Sequence, residues 1–394
     1  MPSSFPILTL KAGNEVHLKN RHHSIFKNAV QTFPDCEDGS IVRVEDSRKA
    51  FLCFATLNRK AYICGRVISF EEGEPMAIIR KNIERAIDLR RRLVMAADTT
   101  AFRLINAEGD LIPGLIVDQY GSVVVIQLTT LGMDKLRPWI VDMLFGLLKP
   151  SAIFEKSTSS ARKKEGLNDR EGWLKGKVEG KIQIQERGIK YFIDLAGSQK
   201  TGFFLDQREM RTLVRSMAKG RTVLDVCSYV GGFSVNALLG GAKTADAIDY
   251  DAAAIARARE HVALNKLPAA LFGAYKEDAF LFLRKIPLPR TYDFIILDPP
   301  AFAKRSSDLE QAKHAYTDLN RLAFMALPPG GLLLTCSCSY QMDPTLFQTV
   351  VFHAARQAKR EVKILGRHRH ALDHPVNLYH PEADYLKSLL LWVE

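Results

Sequence analysis

The first seventy residues carry short apolar runs broken by polar turns: Ile7–Leu10, 39–44, 50–55 and 61–67. Each has the length of a strand, and a short helix is expected between the first two, over 25–30. Strands at this spacing predict a small barrel over residues 1–72. The period then changes. From 76 to 95 the apolar positions Ile79, Ile83, Ile87 and Leu93 fall near helical spacing,. Strands are expected at 102–106, 114–118 and 122–128, with a helix through 139–148. Such a mixture over 76–190 predicts a compact α+β domain, left through a long polar loop or hairpin over 156–179. The string Glu71-Glu72-Gly73-Glu74-Pro75 is a plausible joint between the two. From about Gly220, strands at 223–226, Thr244–Asp249, 271–274, 292–297 and 331–335 alternate with helical segments. That alternation predicts an α/β fold with a doubly wound, Rossmann-like parallel sheet over 191–394.

In such sheets ligands bind at the carboxyl ends of the strands, so the residues just past each strand matter most. After the first comes Asp225-Val226-Cys227-Ser228-Tyr229-Val230-Gly231-Gly232, a loop whose glycines allow a tight turn. Asp249 ends the next strand, at a distance suited to holding two ribose hydroxyls. The loop lacks the full Gly-x-Gly-x-x-Gly cradle for a pyrophosphate, and no Gly-Lys-Ser/Thr follows. A nucleoside cofactor such as S-adenosylmethionine therefore fits better than NAD or ATP. Asp278, followed by Ala279 and Phe280, offers either an acceptor for an adenine amine or a helix N-cap.

Two further strand ends carry chemistry. Asp298-Pro299-Pro300-Ala301-Phe302 joins an acid and an aromatic through two prolines that stiffen the backbone. Asp298 can accept a proton from the amine edge of a base, and Phe302 can stack on its plane. Thr335-Cys336-Ser337-Cys338-Ser339 supplies thiols, which strand alternation places on one face. A thiolate adds to carbon 6 of cytosine and makes carbon 5 nucleophilic. A buried cysteine can equally be a small core residue. An Asp-Pro-Pro-aromatic turn also suits methylation of a purine nitrogen, and an inactive RNA-binding assembly factor would keep the same fold.

Composition narrows the setting. The net charge of +11 favours a polyanionic partner, and the middle third is the most basic, with Arg90-Arg91-Arg92 and the stretch 156–164,. Six cysteines without framework spacing suit a reduced, cytoplasmic location. The start, Met1 to Pro6, does not read as a signal peptide, and no apolar run reaches membrane-spanning length. Neither Cys-x-Cys nor the pairs His22-His23 and His368/His370 have zinc-site spacing, so no metal is expected.

The chain resembles the bacterial ribosomal RNA large subunit methyltransferase I family. The resemblance runs along almost its whole length, through residues 109–118, Phe154-Glu155-Lys156, residues 199–208, the strand-end motifs above and Asp373-His374-Pro375-Val376. It implies a PUA-like RNA-binding domain, a central α+β domain and a class I methyltransferase domain. It further implies methylation of carbon 5 of a cytidine in 23S ribosomal RNA, with S-adenosylmethionine as donor. Cys338 takes the place of the family's nucleophile and Asp298 the base-orienting role. Phe204, Asp206 and Arg208 would line the methionine end of the cofactor, and Asp225, Tyr229, Gly231, Asp249, Asp278, Ala279 and Asp298 the rest. Lys200 and Phe302 would meet the substrate, and a homodimer is the expected assembly. Where other RNA cytosine-5 enzymes place a second cysteine beside the acid motif, this chain has Pro300 and Ala301, so the base that removes the carbon-5 proton is unassigned. Near the start, His22-His23-Ser24-Ile25-Phe26 replaces the family's His-Pro-Trp-Ile-Phe-like string.

Overall fold

The computed structural model describes residues 5–195, 200–285, 287–303 and 305–394. Gln199 and the first four residues, read above from sequence, lie outside them. The chain forms two compact units. One comprises 1–187, 193–205 and 372–383, the other 188–192, 206–371 and 384–394. No helix among the described residues is long and apolar enough to cross a membrane.

The first unit contains two sheets. Strands β1 (Ile7–Leu10), β2 (Ser24–Phe26), β3 (Val30–Thr32), β4 (Ile41–Glu45), β5 (Phe51–Leu57) and β6 (Ile63–Ser69) form a six-stranded sheet of order β2-β6-β5-β4-β1-β3. Leu8, Val42, Val44, Cys53, Ala55 and Val67 fill its core. The helix expected over 25–30 is instead β2, a single 3-10 turn and β3. Ile25 lies over Gly65 of β6, where even a methyl group would come within 2.8 Å of it. Cross-strand packing thus overrides the local helical spacing.

Helix α1 (Pro75–Leu93) starts with Pro75 in its first turn, and the Glu74 carboxylate accepts the Met76 N–H,. Its buried face of Ile79, Ile83, Ala86 and Ile87 joins a second core. Strands β7 (Ala101–Asn106), β8 (Leu115–Tyr120), β9 (Val123–Leu128), β10 (Ala152–Ser157) and β11 (Arg170–Lys175) form a sheet of order β11-β10-β9-β8-β7. Helix α2 (Arg137–Leu148) contributes Ile140 and Leu144 to the same core. By general experience, truncating one such residue to alanine costs about 2–5 kcal/mol.

Part of the basic middle third proves structural. Arg90 is fully buried, paired to Asp110 through two hydrogen bonds of 2.6 and 2.8 Å, and donates to the Asp373 carbonyl at 2.8 Å. Arg162 is also buried, donating to the Leu128 carbonyl and Asp134. Asp373 accepts the Arg103 N–H at 2.9 Å, and the Pro375 carbonyl accepts from Asn106. The Asp373–Val376 string is therefore a clasp on β7.

The second unit holds α3 (Arg208–Met217), β12 (Thr222–Val226), α4 (Gly232–Leu239), β13 (Thr244–Asp249), α5 (Ala252–Leu264), β14 (Phe272–Lys276) and α6 (Ala279–Leu283). It continues with β15 (Phe294–Leu297), α7 (Leu309–Ala326), β16 (Gly331–Ser337), α8 (Pro344–Ala358), β17 (Val362–His368) and β18 (Lys387–Val393). The sheet order is β14-β13-β12-β15-β16-β18-β17. The five strands from β14 to β16 run parallel, and β18 is antiparallel to both β16 and β17. After β12 the chain moves outward to β13 and β14, then crosses back to β15. The carboxyl ends of β12 and β15 thus flank a topological switch point, where an open α/β sheet opens a crevice for ligands.

Candidate cofactor and nucleophile site

The loop after β12 is wound tightly. Cys227 and Tyr229 both have positive φ, of 61° and 48°, and Gly231 follows at 74°. A Cβ on Gly231 would stand 2.8 Å from the Ala258 Cβ, so only glycine fits without displacing α5. Three side chains hold the loop. Buried Asp225 accepts the Ser234 N–H at 3.0 Å and its hydroxyl at 2.8 Å through Oδ2. Asp249 accepts the Tyr229 N–H at 2.8 Å through one oxygen and the Asp251 N–H at 2.9 Å through the other. His261, on α5, is the neutral Nδ1–H tautomer: Nδ1 donates to the Val230 carbonyl and Nε2 accepts the Phe192 N–H. Burial drives its pKa down to about 4.

This end of the sheet gathers carboxylates. Burial pushes Asp225 up to about 7 and raises Asp249. Burial, with the charges of Asp249, Asp298, Asp225 and Asp278, drives the Cys227 thiol well above its ordinary range. The half-buried Cys227 thiol thus resists ionisation. Asp225 Oδ1 is buried with no hydrogen-bond partner among the described residues, and each Asp249 oxygen keeps a second lone pair for a hydroxyl donor. A glycine turn, an orphaned acceptor and a half-buried acid at the next strand end suit a nucleoside that donates through its hydroxyls. Asp278 N-caps α6, its Oδ1 accepting the Phe280 and Leu281 N–H groups at 2.9 and 3.0 Å, with Ala279 as the first helical residue.

At the switch point, Asp298 Oδ1 accepts from Gln207 Nε2 at 2.9 Å. Gln207 is buried just before α3. Asp206, also buried, accepts from the Tyr385 hydroxyl through Oδ2, and buried Arg208 opens α3. Phe204 and Lys200 belong to the first unit, where the Lys200 ammonium lies 4.3 Å from the centre of the Phe204 ring. Their segment is pinned to β8: Thr201 bonds Asp118, and the Phe203 N–H donates to the Tyr120 hydroxyl at 3.1 Å.

The thiols part ways. Pairing along β16 ends at Ser337, so the strand alternation that would put both thiols on one face does not extend to Cys338. Cys336 is fully buried, and its thiol is held well above the ordinary range by burial and the Asp298 charge. Cys338 is half-buried, with its Sγ 3.9 Å from the Pro299 carbonyl oxygen. Its neighbours are fixed. Ser337 and Ser339 both hydrogen-bond the buried Tyr316 hydroxyl at 3.0 Å, and Ser339 Oγ also accepts the Ala303 N–H. Phe302 packs against Tyr316, with ring centres 4.7 Å apart, yet is only partly buried.

Gln207, Tyr385 and the neighbouring Lys387 were not singled out from sequence. Gln207 sits in the 199–208 run, but only the fold shows that it meets Asp298. Outside this site, His22, His380 and Glu382 bring three ligand-type atoms within 4.8 Å in the first unit. His22 Nδ1 accepts the Ser24 N–H at 3.2 Å, so Nε2 carries the proton shared with Glu382 at 3.3 Å. That is a hydrogen bond from an imidazole N–H to a carboxylate, and spacing along the chain could not reveal it.

Residues 163–390 match the family of S-adenosylmethionine-dependent methyltransferases, and residues 8–70 match PUA-like domains. Proteins named ribosomal RNA large subunit methyltransferase I align along nearly the whole chain. The one from Cronobacter sakazakii is 36% identical over 97% of this chain and 98% of its own length. The one from Shewanella denitrificans is 37% identical with the same coverage. The chain belongs to this family. It is thus an S-adenosylmethionine-dependent methyltransferase with a class I α/β fold and an N-terminal PUA-like domain. Among solved structures, the methyltransferase SMU.776 in complex with SAH matches with a TM-score of 0.84 and 25% identity, over 98% of this chain and 100% of that one. A Streptococcus mutans methyltransferase matches at 0.83 and 26%, with the same coverage.

Proposed function

We propose that this methyltransferase modifies carbon 5 of a cytidine in 23S ribosomal RNA, with Cys338 as covalent nucleophile. One observation carries the reading: the half-buried Cys338 thiol lies 3.9 Å from the carbonyl of Pro299, in the turn that begins with Asp298. Methylation of a purine nitrogen has no use for a thiol there. The family membership and the names of the relatives support ribosomal RNA as the substrate.

The chain's own groups divide the work. The Cys338 thiolate adds to carbon 6, and the ring electrons move to carbon 5. Asp206, Arg208, the loop around Gly231, Asp249 and Asp278 would hold S-adenosylmethionine, which would supply an electrophilic methyl group when bound. Loss of the carbon-5 proton to a base then expels the thiolate and restores the aromatic ring. Asp298, steadied by Gln207, accepts hydrogen bonds from the amine edge of the base, and Phe302 packs on its face. Neither carbon can meet the thiol inside a duplex, so the target nucleotide is flipped or single-stranded.

In the first unit, Arg21, Lys81 and Arg85 are exposed around a cleft that Phe70 also lines. Cations beside an aromatic ring suit RNA phosphates and bases, so this cleft is the proposed RNA contact. The test is to incubate the protein with methyl-labelled S-adenosylmethionine and unmodified 23S RNA, then digest to nucleosides. Label in 5-methylcytidine agrees with the proposal, and label in a methylated purine contradicts it.

A further inference from the structure

Lys387 is the first residue of β18 and lies opposite Ser337 in the antiparallel pair with β16. Only 4% of the residue is exposed. A lysine in that position needs partners, because an uncompensated buried ammonium is costly. Its Nζ donates to the Ser339 carbonyl at 2.7 Å and to the Tyr385 carbonyl at 2.7 Å. Lys387 therefore reaches past Cys338 and grips the next residue. Two carbonyls take two of the three ammonium protons, and neither neutralises the charge.

We propose that Lys387 is a positioning residue for the nucleophile, its buried ammonium holding Cys338 in the thiolate form that adds to carbon 6. This rests on the cytosine reading above for its role in catalysis. The pair forms no new bond. When Cys338 ionises its proton leaves to solvent, and the thiolate gains a fixed positive charge at the strand end. The charged groups that act on Lys387 are Cys338, Asp384, Asp343 at the start of α8, and Arg369 beyond β17. Burial lowers its pKa to about 8, with Arg369 adding to the fall, while the Cys338 thiolate and the two acids favour the ammonium. The ammonium is thus present below about pH 8 and lost above it. Reactivity should rise to a plateau as Cys338 ionises, and the ammonium brings that rise to lower pH.

The test reads the thiol without RNA. Full-length protein is alkylated with iodoacetamide across a pH series, and Cys338 is followed by peptide mass spectrometry, with Cys36 as reference. In the wild type the Cys338 midpoint should lie below the ordinary thiol value of about 8.5. Lys387→Met should raise it by about one pH unit, slowing alkylation at pH 7 about tenfold. Lys387→Arg, which keeps its charge, should hold the low midpoint. Equal midpoints in wild type and Lys387→Met would overturn the assignment. So would a wild-type midpoint at or above the ordinary value, which decides the matter even where the Met variant fails to fold. The two proposals fail separately. A low, lysine-dependent midpoint with label in a purine keeps the charge pair and overturns the cytosine reading. Label in 5-methylcytidine with an ordinary midpoint does the reverse.

Discussion

Three cysteines lie in the second unit, and their surroundings separate them. Cys227 and Cys338 are both half-buried, but burial of the thiol and the charges of four acids oppose ionisation of Cys227; Cys336 is sealed in the sheet, and Cys338 lies at the Asp298 turn. Cys338→Ala should therefore lower methyl transfer to background while leaving S-adenosylmethionine affinity within about twofold, as read by calorimetric titration. Gln207→Ala removes a hydrogen bond to a carboxylate, worth about 1.5–3 kcal/mol. It should lower kcat at least about tenfold, and an unchanged kcat would detach Gln207 from the site. The strand-end positions of Asp225, Asp249 and Asp298 were legible because each stands at or just past the end of a run read as a strand. Tyr385 and Lys387 were not legible, since their partners lie 179 residues away in the chain (Asp206) and 48 away (Ser339). Contacts of that kind leave no local pattern.

Among the elements, α5 is the support of the nucleotide loop. His261 belongs to it, and so does Ala258, which presses on Gly231. Because the folded protein holds His261 neutral with a pKa of about 4, against 6.5 as the reference, its contribution is whole above pH 6.5 and is lost as pH falls toward 4,. The wild-type melting temperature should decline over that window. His261→Gln should melt lower at pH 7 and decline less between pH 6.5 and 4. Equal slopes would show that acid loss arises elsewhere. The parallel strands were legible to within a few residues, because continuous apolar runs mark strands buried on both faces. The 25–30 segment was not, since Ile25 and Val30 pair with distant strands and only the assembled sheet decides their state.

For the molecule as a whole, a net charge of +11 overstates the basic surface. Arg90 and Arg162 are spent inside the first unit, so the Arg90–Arg92 run is only partly available to a ligand. The accessible cations around the Phe70 cleft are better placed. Lys81→Glu combined with Arg85→Glu should weaken RNA binding at least tenfold and flatten its salt dependence, while cofactor affinity stays unchanged. A salt series in a filter-binding assay reads both effects, and unchanged binding would move the RNA contact elsewhere.

The proposed reaction turns on a covalent bond between Cys338 and carbon 6 of a cytosine. RNA containing 5-fluorocytidine tests it directly, since carbon 5 then carries no proton whose loss could expel the thiol. With S-adenosylmethionine present, wild-type protein should form an adduct that survives denaturing electrophoresis, and Cys338→Ala should form none. Covalent attachment at Cys338 is contradicted if active wild-type enzyme yields no adduct, or if the Cys338→Ala variant still forms one.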